Sequence, residues 1–174
     1  EMPSSSPSIT ISPSSSPTIT LSLSPSSSVA PTINQNSSLQ NIALGKSASQ
    51  SSTGFGGLAE RAIDGNTDGL WNGGSVTRTS SQSDPWWVVD LAGSFYIKEV
   101  VVYNRMDSCC SGRLSGAVVT LVDANGDLGP SQELGSVFVI SETISFAGNS
   151  FATHKIRVSI PGEGKILSLA EVQV

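Results

Sequence analysis

Hydrophobic positions from residue 86 onward fall in short runs that are typical of β-strands. Six segments share a richness in β-branched and aromatic residues: WWVVDL (86–91), IKEVVVYN (97–104), GAVVTLVD (116–123), SVFVIS (136–141), HKIRVSI (154–160) and LSLAEVQV (167–174). Clusters of Gly, Asn, Asp and Ser such as DANGD and IPGEGK separate these segments. No segment keeps a helical apolar period for about ten residues. The pattern therefore predicts an all-β antiparallel sandwich or jelly roll with its binding loops gathered at the ends.

Residues 1–38 carry a different pattern, in which single aliphatic residues stand among Ser, Pro and Thr. The composition becomes globular near NIALGKSASQ, so we place a folded domain at 39–174 and an extended linker or donor segment at 1–38. In an extended strand, residues two apart share a face and point their N–H groups to the same edge, so prolines at one parity remove donors from one edge only. Met2 and Ala30 apart, the aliphatic residues and prolines of this segment share odd positions: Ile9, Ile11, Ile19, Leu21, Leu23, Val29 and Ile33, with Pro3, Pro7, Pro13, Pro17, Pro25 and Pro31.

This odd-position pattern predicts that the segment adds as a strand to a neighbouring sheet. Residues 8–24 would run extended against an adjacent copy, and the chain would be a repeating unit of an extracellular fibre, because head-to-tail donation that does not close gives a filament. The alternative is a monomeric domain on a flexible or polyproline II stalk coated with O-glycans, which the composition alone favours. Asn36, in the sequon Asn36-Ser37-Ser38, is a candidate N-glycosylation site.

The overall composition narrows the class of partner and function. The chain has 174 residues and a net charge of −5, and its Lys and Arg residues are scattered, so a nucleic-acid partner is not expected. It has no apolar run of about 18 residues and no basic region followed by an apolar one, so neither a membrane span nor a signal segment is expected in it. GxSxG, HExxH and phosphate-loop motifs are absent, and the single histidine, His154, is interpreted as a strand or rim residue. We therefore expect no catalytic activity.

Two short stretches concentrate candidate chemistry. NRMDSCCSGRL (104–114) places two adjacent cysteines beside an aspartate and two arginines. These cysteines lack zinc-ligand spacing with His154, and on these residues alone they could be either paired or free. AIDGN (62–66) sets a short carboxylate, Gly and Asn in a tight turn, which suits either a hard cation or an Asx turn with a loop ion pair.

Several motifs together resemble a known family. NIALGKSASQSST, AIDGNTDG, PWWVVDL, IKEVVVYNR, the adjacent cysteines and LSLAEVQV follow one another in the order seen in discoidin or coagulation-factor C-type (F5/8 type C) domains, and they are most similar to the fucose-binding F-type lectins. The resemblance covers residues 40–174. It implies an eight-stranded jelly roll that binds sugars, lipid head groups or proteins through loops at one end, without catalysis and in an oxidising, extracellular setting.

The resemblance also implies a carbohydrate site. In F-type lectins, adjacent cysteines after Arg-x-Asp form a disulfide that packs against the apolar face of fucose, and a histidine and two arginines hydrogen-bond the sugar hydroxyls. By resemblance, the residues on this motif are Arg105, Asp107, Cys109, Cys110 and Arg113.

Two departures from the family pattern change the expected ligand. Arg78 stands where the family has its histidine, and Ser108 is an extra residue between the aspartate and the cysteines. Three arginines near one aspartate would make a cationic pocket, which suits an acidic or sulfated glycan better than neutral fucose. The alternative is that the site is lost and that Arg105 and Asp107 form only a loop ion pair. We therefore predict a lectin-like adhesive module with a degenerate fucose site.

A structural Ca²⁺ site is implied by the same resemblance. Its side-chain ligands would be Asp64, Asn66, Ser75 and Glu171, and its backbone ligands the carbonyls of Arg61 and Ala170. Such an ion would tie the first loop to the C-terminal strand.

Three tryptophans are candidates for either the core or a sugar platform. Trp86 and Trp87 begin a predicted strand, whose alternation should bury at least one of them. Trp71, in the loop LWNGG, is the better candidate for an exposed contact.

Overall fold

The computed structural model describes residues 40–135 and 139–174. Outside these ranges lie the extended segment, its boundary, the sequon at Asn36 and the first three residues of the predicted strand 136–141. The extended strand, the domain boundary and the N-glycan proposed for these residues therefore stay predictions. Within the described ranges, no helix is long and apolar enough to cross a membrane.

The described chain forms eight strands and three short 3-10 turns. The strands are β1 (Ser47–Gln50), β2 (Trp86–Phe95), β3 (Glu99–Asn104), β4 (Val118–Val122), β5 (Leu128–Glu133), β6 (Ser141–Ser145), β7 (Thr153–Ser159) and β8 (Leu169–Gln173). The 3-10 turns are Ala59–Ile63, Trp71–Gly73 and Ser111–Leu114. Five of the six predicted segments contain strands, and in the described part of the sixth, 139–141, only Ser141 belongs to a strand, β6.

The strands pair in two antiparallel sheets that enclose one core. One sheet has the order β1-β2-β7-β4-β5, and the other has the order β6-β3-β8. The predicted all-β, eight-stranded jelly roll is therefore confirmed. Residues of β2, β7 and β8 fill the space between the sheets and are fully buried, among them Val89, Leu91, Ile156, Val158 and Val172.

The tryptophan pair at the start of β2 alternates as predicted. Trp87 is fully buried, and its indole Nε1 donates a 2.9 Å hydrogen bond to the carbonyl of Ala59. Trp86 lies on the outer face of the sheet with the Arg157 guanidinium 5.4 Å from its ring centroid. His154 is a strand residue of β7, as the sequence analysis interpreted it, and its Nε2 lies 3.3 Å from the Asp90 carboxylate.

One end of the sandwich collects the predicted site residues. β3 ends immediately before Arg105, and β8 begins immediately after Ser168. The segment around Arg78 runs alongside the start of β8, because the backbone N–H of Thr77 donates to the carbonyl of Leu169 at 2.8 Å. In return, the Leu169 N–H donates to the Thr77 hydroxyl at 2.9 Å. Thr79 and Leu167 exchange the same two kinds of hydrogen bond. The backbone of Arg78 therefore lies beside Ser168.

Candidate functional site

The adjacent cysteines form the tip of the loop that follows β3. Cys109 and Cys110 are joined by a disulfide; Cys110 is buried and Cys109 is exposed. The loop is held by a 2.9 Å hydrogen bond from the Cys110 N–H to the carbonyl of Asp107. Asn104, at the end of β3, donates from its side-chain amide to the carbonyl of Ser111 at 2.9 Å. The loop is thus fixed to the strand and presents Cys109 at the surface.

Arg105 and Asp107 form an ion pair inside this loop. The Arg105 Nε lies 2.6 Å from Asp107 Oδ2, which also accepts a 3.1 Å hydrogen bond from the backbone N–H of Trp71. Burial opposes ionisation of Asp107, but the hydrogen bonds from Arg105 and Trp71 outweigh burial and hold the pKa of the carboxyl below its ordinary value. Arg105 is itself buried, and Asp107 is its ion-pair partner.

Trp71 is not the exposed contact that was expected. Its ring is partly buried, with the guanidinium of Arg105 4.8 Å and that of Arg61 5.8 Å from the ring centroid. A tryptophan ring is a favourable partner for a guanidinium because its face is electronegative. Trp71 therefore connects the loop that carries Arg61 to the loop that carries the disulfide.

Arg78 and Arg113 differ from Arg105 because neither forms an ion pair within residues 40–135 and 139–174. Arg113 donates from Nη1 to the hydroxyl of the buried Ser168 at 3.5 Å. The backbone of Arg78 runs beside the same serine, and its charge acts on Arg113, so the two guanidinium groups lie on the same end of the sandwich. Burial lowers the pKa of Arg113, and the positive charges of Arg105 and Arg78 lower it further.

Phe55 is a candidate site residue that sequence reasoning missed. Its ring is 85% exposed, and its centroid lies 4.2 Å from the Arg78 guanidinium. The loop around it is fixed to Arg78, since the Gly54 N–H donates to the Arg78 carbonyl at 2.8 Å and the Arg78 N–H donates to Gly57 at 3.0 Å. The available signal was a lone aromatic residue in the glycine-rich stretch TGFGG.

The first loop contains a chain of Asx turns at the protein surface. The Asn66 N–H donates to Asp64 Oδ1 at 2.8 Å, and the Asp68 N–H donates to Asn66 Oδ1 at 3.0 Å. The Ser75 hydroxyl hydrogen-bonds the carbonyl of Asp68, a residue that was not among the predicted ligands. The sequence allowed either a cation site or an Asx turn at AIDGN. The structure shows that Asx turns are present in this loop.

Glu171 is the least satisfied charged group near that loop. It pairs with Tyr103 across β8 and β3 and is fully buried, yet neither of its carboxylate oxygens has a hydrogen-bond partner of normal geometry. Burial raises the pKa of Glu171 to about 7, and the Asp64 carboxylate contributes in the same direction. The backbone amides of Gly65 and Asp64 lie close enough to oppose this rise.

A cation fits the environment of Glu171. A buried carboxylate without partners is unfavourable unless a positive charge or a donor satisfies it. The described residues contain no cluster of three or more His, Cys, Asp or Glu side chains that could hold a metal. The ligands would therefore include the amide, hydroxyl and carbonyl oxygens expected at Asn66, Ser75, Arg61 and Ala170, which are groups that Ca²⁺ accepts.

Comparison with known proteins identifies the family. A family model described as a NedA-like, galactose-binding domain of the F5/F8 type C class matches residues 61–159. A fucolectin from Anguilla anguilla is 33% identical over 143 residues, which is 78% of this chain and 90% of that protein. The lectin domain of lectinolysin, solved in complex with Lewis B antigen, is similar with a TM-score of 0.74 and 37% identity, over 78% of this chain and 95% of that one. A Streptococcus pneumoniae fucose-binding module has a TM-score of 0.73 and 37% identity, over 78% and 97% of the respective chains.

These relatives are a fucolectin, a lectin domain and a fucose-binding module. The expectation of a non-catalytic, lectin-like chain is therefore confirmed. The chain belongs to the F5/8 type C domain family, with fucolectins and fucose-binding modules as its relatives.

Proposed function

We propose that this chain is an extracellular carbohydrate-binding module whose fucose-type site has changed to accept acidic or sulfated glycans. The observation that carries the proposal is the pair Arg78 and Arg113, two cations without an acidic partner beside the exposed disulfide. The third cation, Arg105, is already paired with Asp107. A glycan sulfate or carboxylate would supply the missing negative charge.

The charges of this pocket make a neutral sugar a poor match. Burial disfavours the charge of Arg113, and the nearby positive charges of Arg105 and Arg78 disfavour it further. A hydroxyl group would accept a hydrogen bond but would bring no negative charge to either guanidinium. A sulfate or carboxylate accepts charge-assisted, often bidentate hydrogen bonds from guanidinium groups. We therefore expect plain fucose to bind weakly or not at all.

A direct binding measurement tests this proposal. The full chain would be titrated by calorimetry with L-fucose and with monosulfated L-fucose. A charge-assisted hydrogen bond contributes roughly 1.5–3 kcal/mol, so the sulfated sugar should bind about tenfold or more tightly and lose that advantage in high salt. Arg113→Gln should remove the difference. Arg157→Gln, which removes an arginine on the outer sheet face, should preserve it. Equal or tighter binding of neutral fucose would refute the acidic preference.

The same proposal includes a structural calcium ion. The unpartnered carboxylate of Glu171 supports it, because a hard cation would satisfy both oxygens and join β8 to the loop that carries Asp64. The ion would hold this end of the sandwich together and would take no part in a reaction. Calcium titration of chelator-treated protein, followed by its melting temperature, is the direct test.

The proposal places the module in an extracellular fibre, with residues 8–24 extended against an adjacent copy. The odd-position pattern of the segment supports this assembly. Deleting residues 1–28 should leave a folded, calcium-binding monomer that no longer assembles. The competing arrangement is a monomeric lectin domain on an O-glycosylated stalk, with an N-glycan at Asn36 compatible with either. Sedimentation of the intact chain as a monomer at all concentrations would favour the stalk.

A further inference from the structure

A groove of about 350 Å³ lies at the end of the sandwich away from the disulfide loop. Its lining includes residues at the start of β3 and at the end of β8. The disulfide loop, in contrast, follows the end of β3. Two aromatic residues at its rim are unusually accessible, with Tyr96 70% and Phe95 38% exposed. Its other apolar lining residues are Ile42, Ile97, Val101 and Val174.

We propose that this groove, lined by the residues just named, accepts residues 18–24 of the N-terminal segment of a second copy. The inference rests on the proposed fibre and names the acceptor site for it. Ile19, Leu21 and Leu23 would insert their side chains into the groove, since residues two apart in a strand share a face. The Thr and Ser residues between them would face solvent.

The chemistry of segment and groove is complementary. Glu1 is the only charged residue before Lys46, so insertion of this segment would bury no charge. The charged residues of the groove, Lys98 and Glu99, lie beside its apolar lining and can keep their charged groups in water. Covering the exposed tyrosine and phenylalanine with aliphatic side chains would remove apolar surface from solvent, which is the main favourable contribution to such docking.

The position and composition of the connecting residues favour a neighbouring copy over the chain's own groove. Gln40, the first residue that the structure describes, lines the groove. The first glycine of the chain is Gly45, and Pro25 and Pro31 lie in the connection, so it lacks the residue that most readily reverses a chain. The 15 residues between Ser24 and Gln40 can span up to roughly 50 Å when extended. That length is enough to reach a second domain of this size.

Photo-cross-linking of the full chain tests the acceptor site. Tyr96 would be replaced by p-benzoylphenylalanine, and chains labelled with ¹⁴N and ¹⁵N would be mixed before irradiation. We expect cross-linked peptides that contain residues 18–24 and combine the two isotopes. The same probe at Leu128, which is 69% exposed on β5, should give no such peptides. Cross-links confined to one isotope, or an absence of peptides from residues 18–24, would overturn the proposal.

Paired charge substitutions test the inserted face. Leu21→Asp with Leu23→Asp should abolish assembly in sedimentation experiments, whereas Thr20→Asp with Ser22→Asp should preserve it. Equal effects of the two pairs would overturn the proposal, because they would show that no particular face is inserted. If the intact chain assembles but cross-links elsewhere, the groove assignment fails while the fibre stands. If the intact chain never assembles, the fibre and the groove assignment both fail.

Discussion

The buried carboxylate of Glu171 predicts an unusual dependence of stability on pH in calcium-free protein. The pKa of Glu171 is about 7 in the folded chain against an ordinary value of 4.5, a difference that corresponds to roughly 3 kcal/mol. Because the folded-state pKa is raised, this stability is fully present below pH 4.5 and is lost as the pH rises through about 7. Calcium-free protein at pH 8 should therefore carry the whole penalty of the buried charge.

Glu171→Gln separates this contribution from those of all other groups. The amide cannot ionise, so the free energy of unfolding of the variant should lack the loss between pH 5 and pH 8 that the wild type shows. The comparison is between slopes, since burying an unsatisfied amide itself costs roughly 1–3 kcal/mol at every pH. Glu163→Gln, at an exposed position, should keep the wild-type slope.

Calcium should offset the loss of stability that the wild type is expected to show as the pH rises. Ca²⁺ binds the ionised carboxylate, so its stabilising effect should grow with pH and should be absent in Glu171→Gln. A ligand at 100 times its Kd stabilises the folded state by roughly 2.7 kcal/mol. Urea unfolding followed by tryptophan fluorescence, on protein stripped of calcium and then with calcium restored, measures both effects. Identical pH slopes for the wild type and Glu171→Gln without calcium would refute the reasoning.

Three further predictions concern single features of the candidate site. Asp64→Ala should abolish the rise in melting temperature on calcium addition, and a retained response would show that this carboxylate is not a ligand. Replacing Cys109 and Cys110 together by Ser should reduce glycan affinity more than stability, because a bond between neighbours closes almost no chain loop; calorimetry and urea unfolding on the same sample compare the two. Gly57→Ala should destabilise the protein by roughly 1–3 kcal/mol, since the added Cβ would lie 2.6 Å from the backbone nitrogen of Arg78. Unchanged unfolding would show that this loop can move away.

Strands that bury side chains between the sheets could be predicted from sequence and the exposed strand β5 could not, for a physical reason. β2, β3, β7 and β8 bury side chains between the sheets, so their sequences must be apolar at those positions. β5, with the sequence LGPSQE, is a sheet edge whose residues are mostly exposed and include Pro130. An edge strand is defined by backbone pairing with one neighbour, which leaves little trace in the pattern of side chains.

The candidate site, too, could be predicted from the sequence only in part. The residue types of the disulfide motif were evident, because adjacent cysteines near Arg and Asp are uncommon and the family resemblance gave them a role. The ion pair between Arg105 and Asp107 was one of the two alternatives offered by the sequence, but only the fold reveals that Arg78 and Arg113 form no ion pair within the described residues. Glu171 lies in a segment correctly predicted as a strand, but its burial depends on a loop about 100 residues earlier in the chain.

Trp71 has a consequence for how the binding end of the molecule opens. Its backbone N–H is bonded to Asp107, and its ring contacts the guanidinium groups of Arg61 and Arg105. The loop that carries Asp64 cannot detach without breaking these contacts in the disulfide loop. The two loops should therefore behave as one cooperative unit, with amide hydrogens that exchange at a common opening free energy. Ordering either loop would then slow solvent exchange in both.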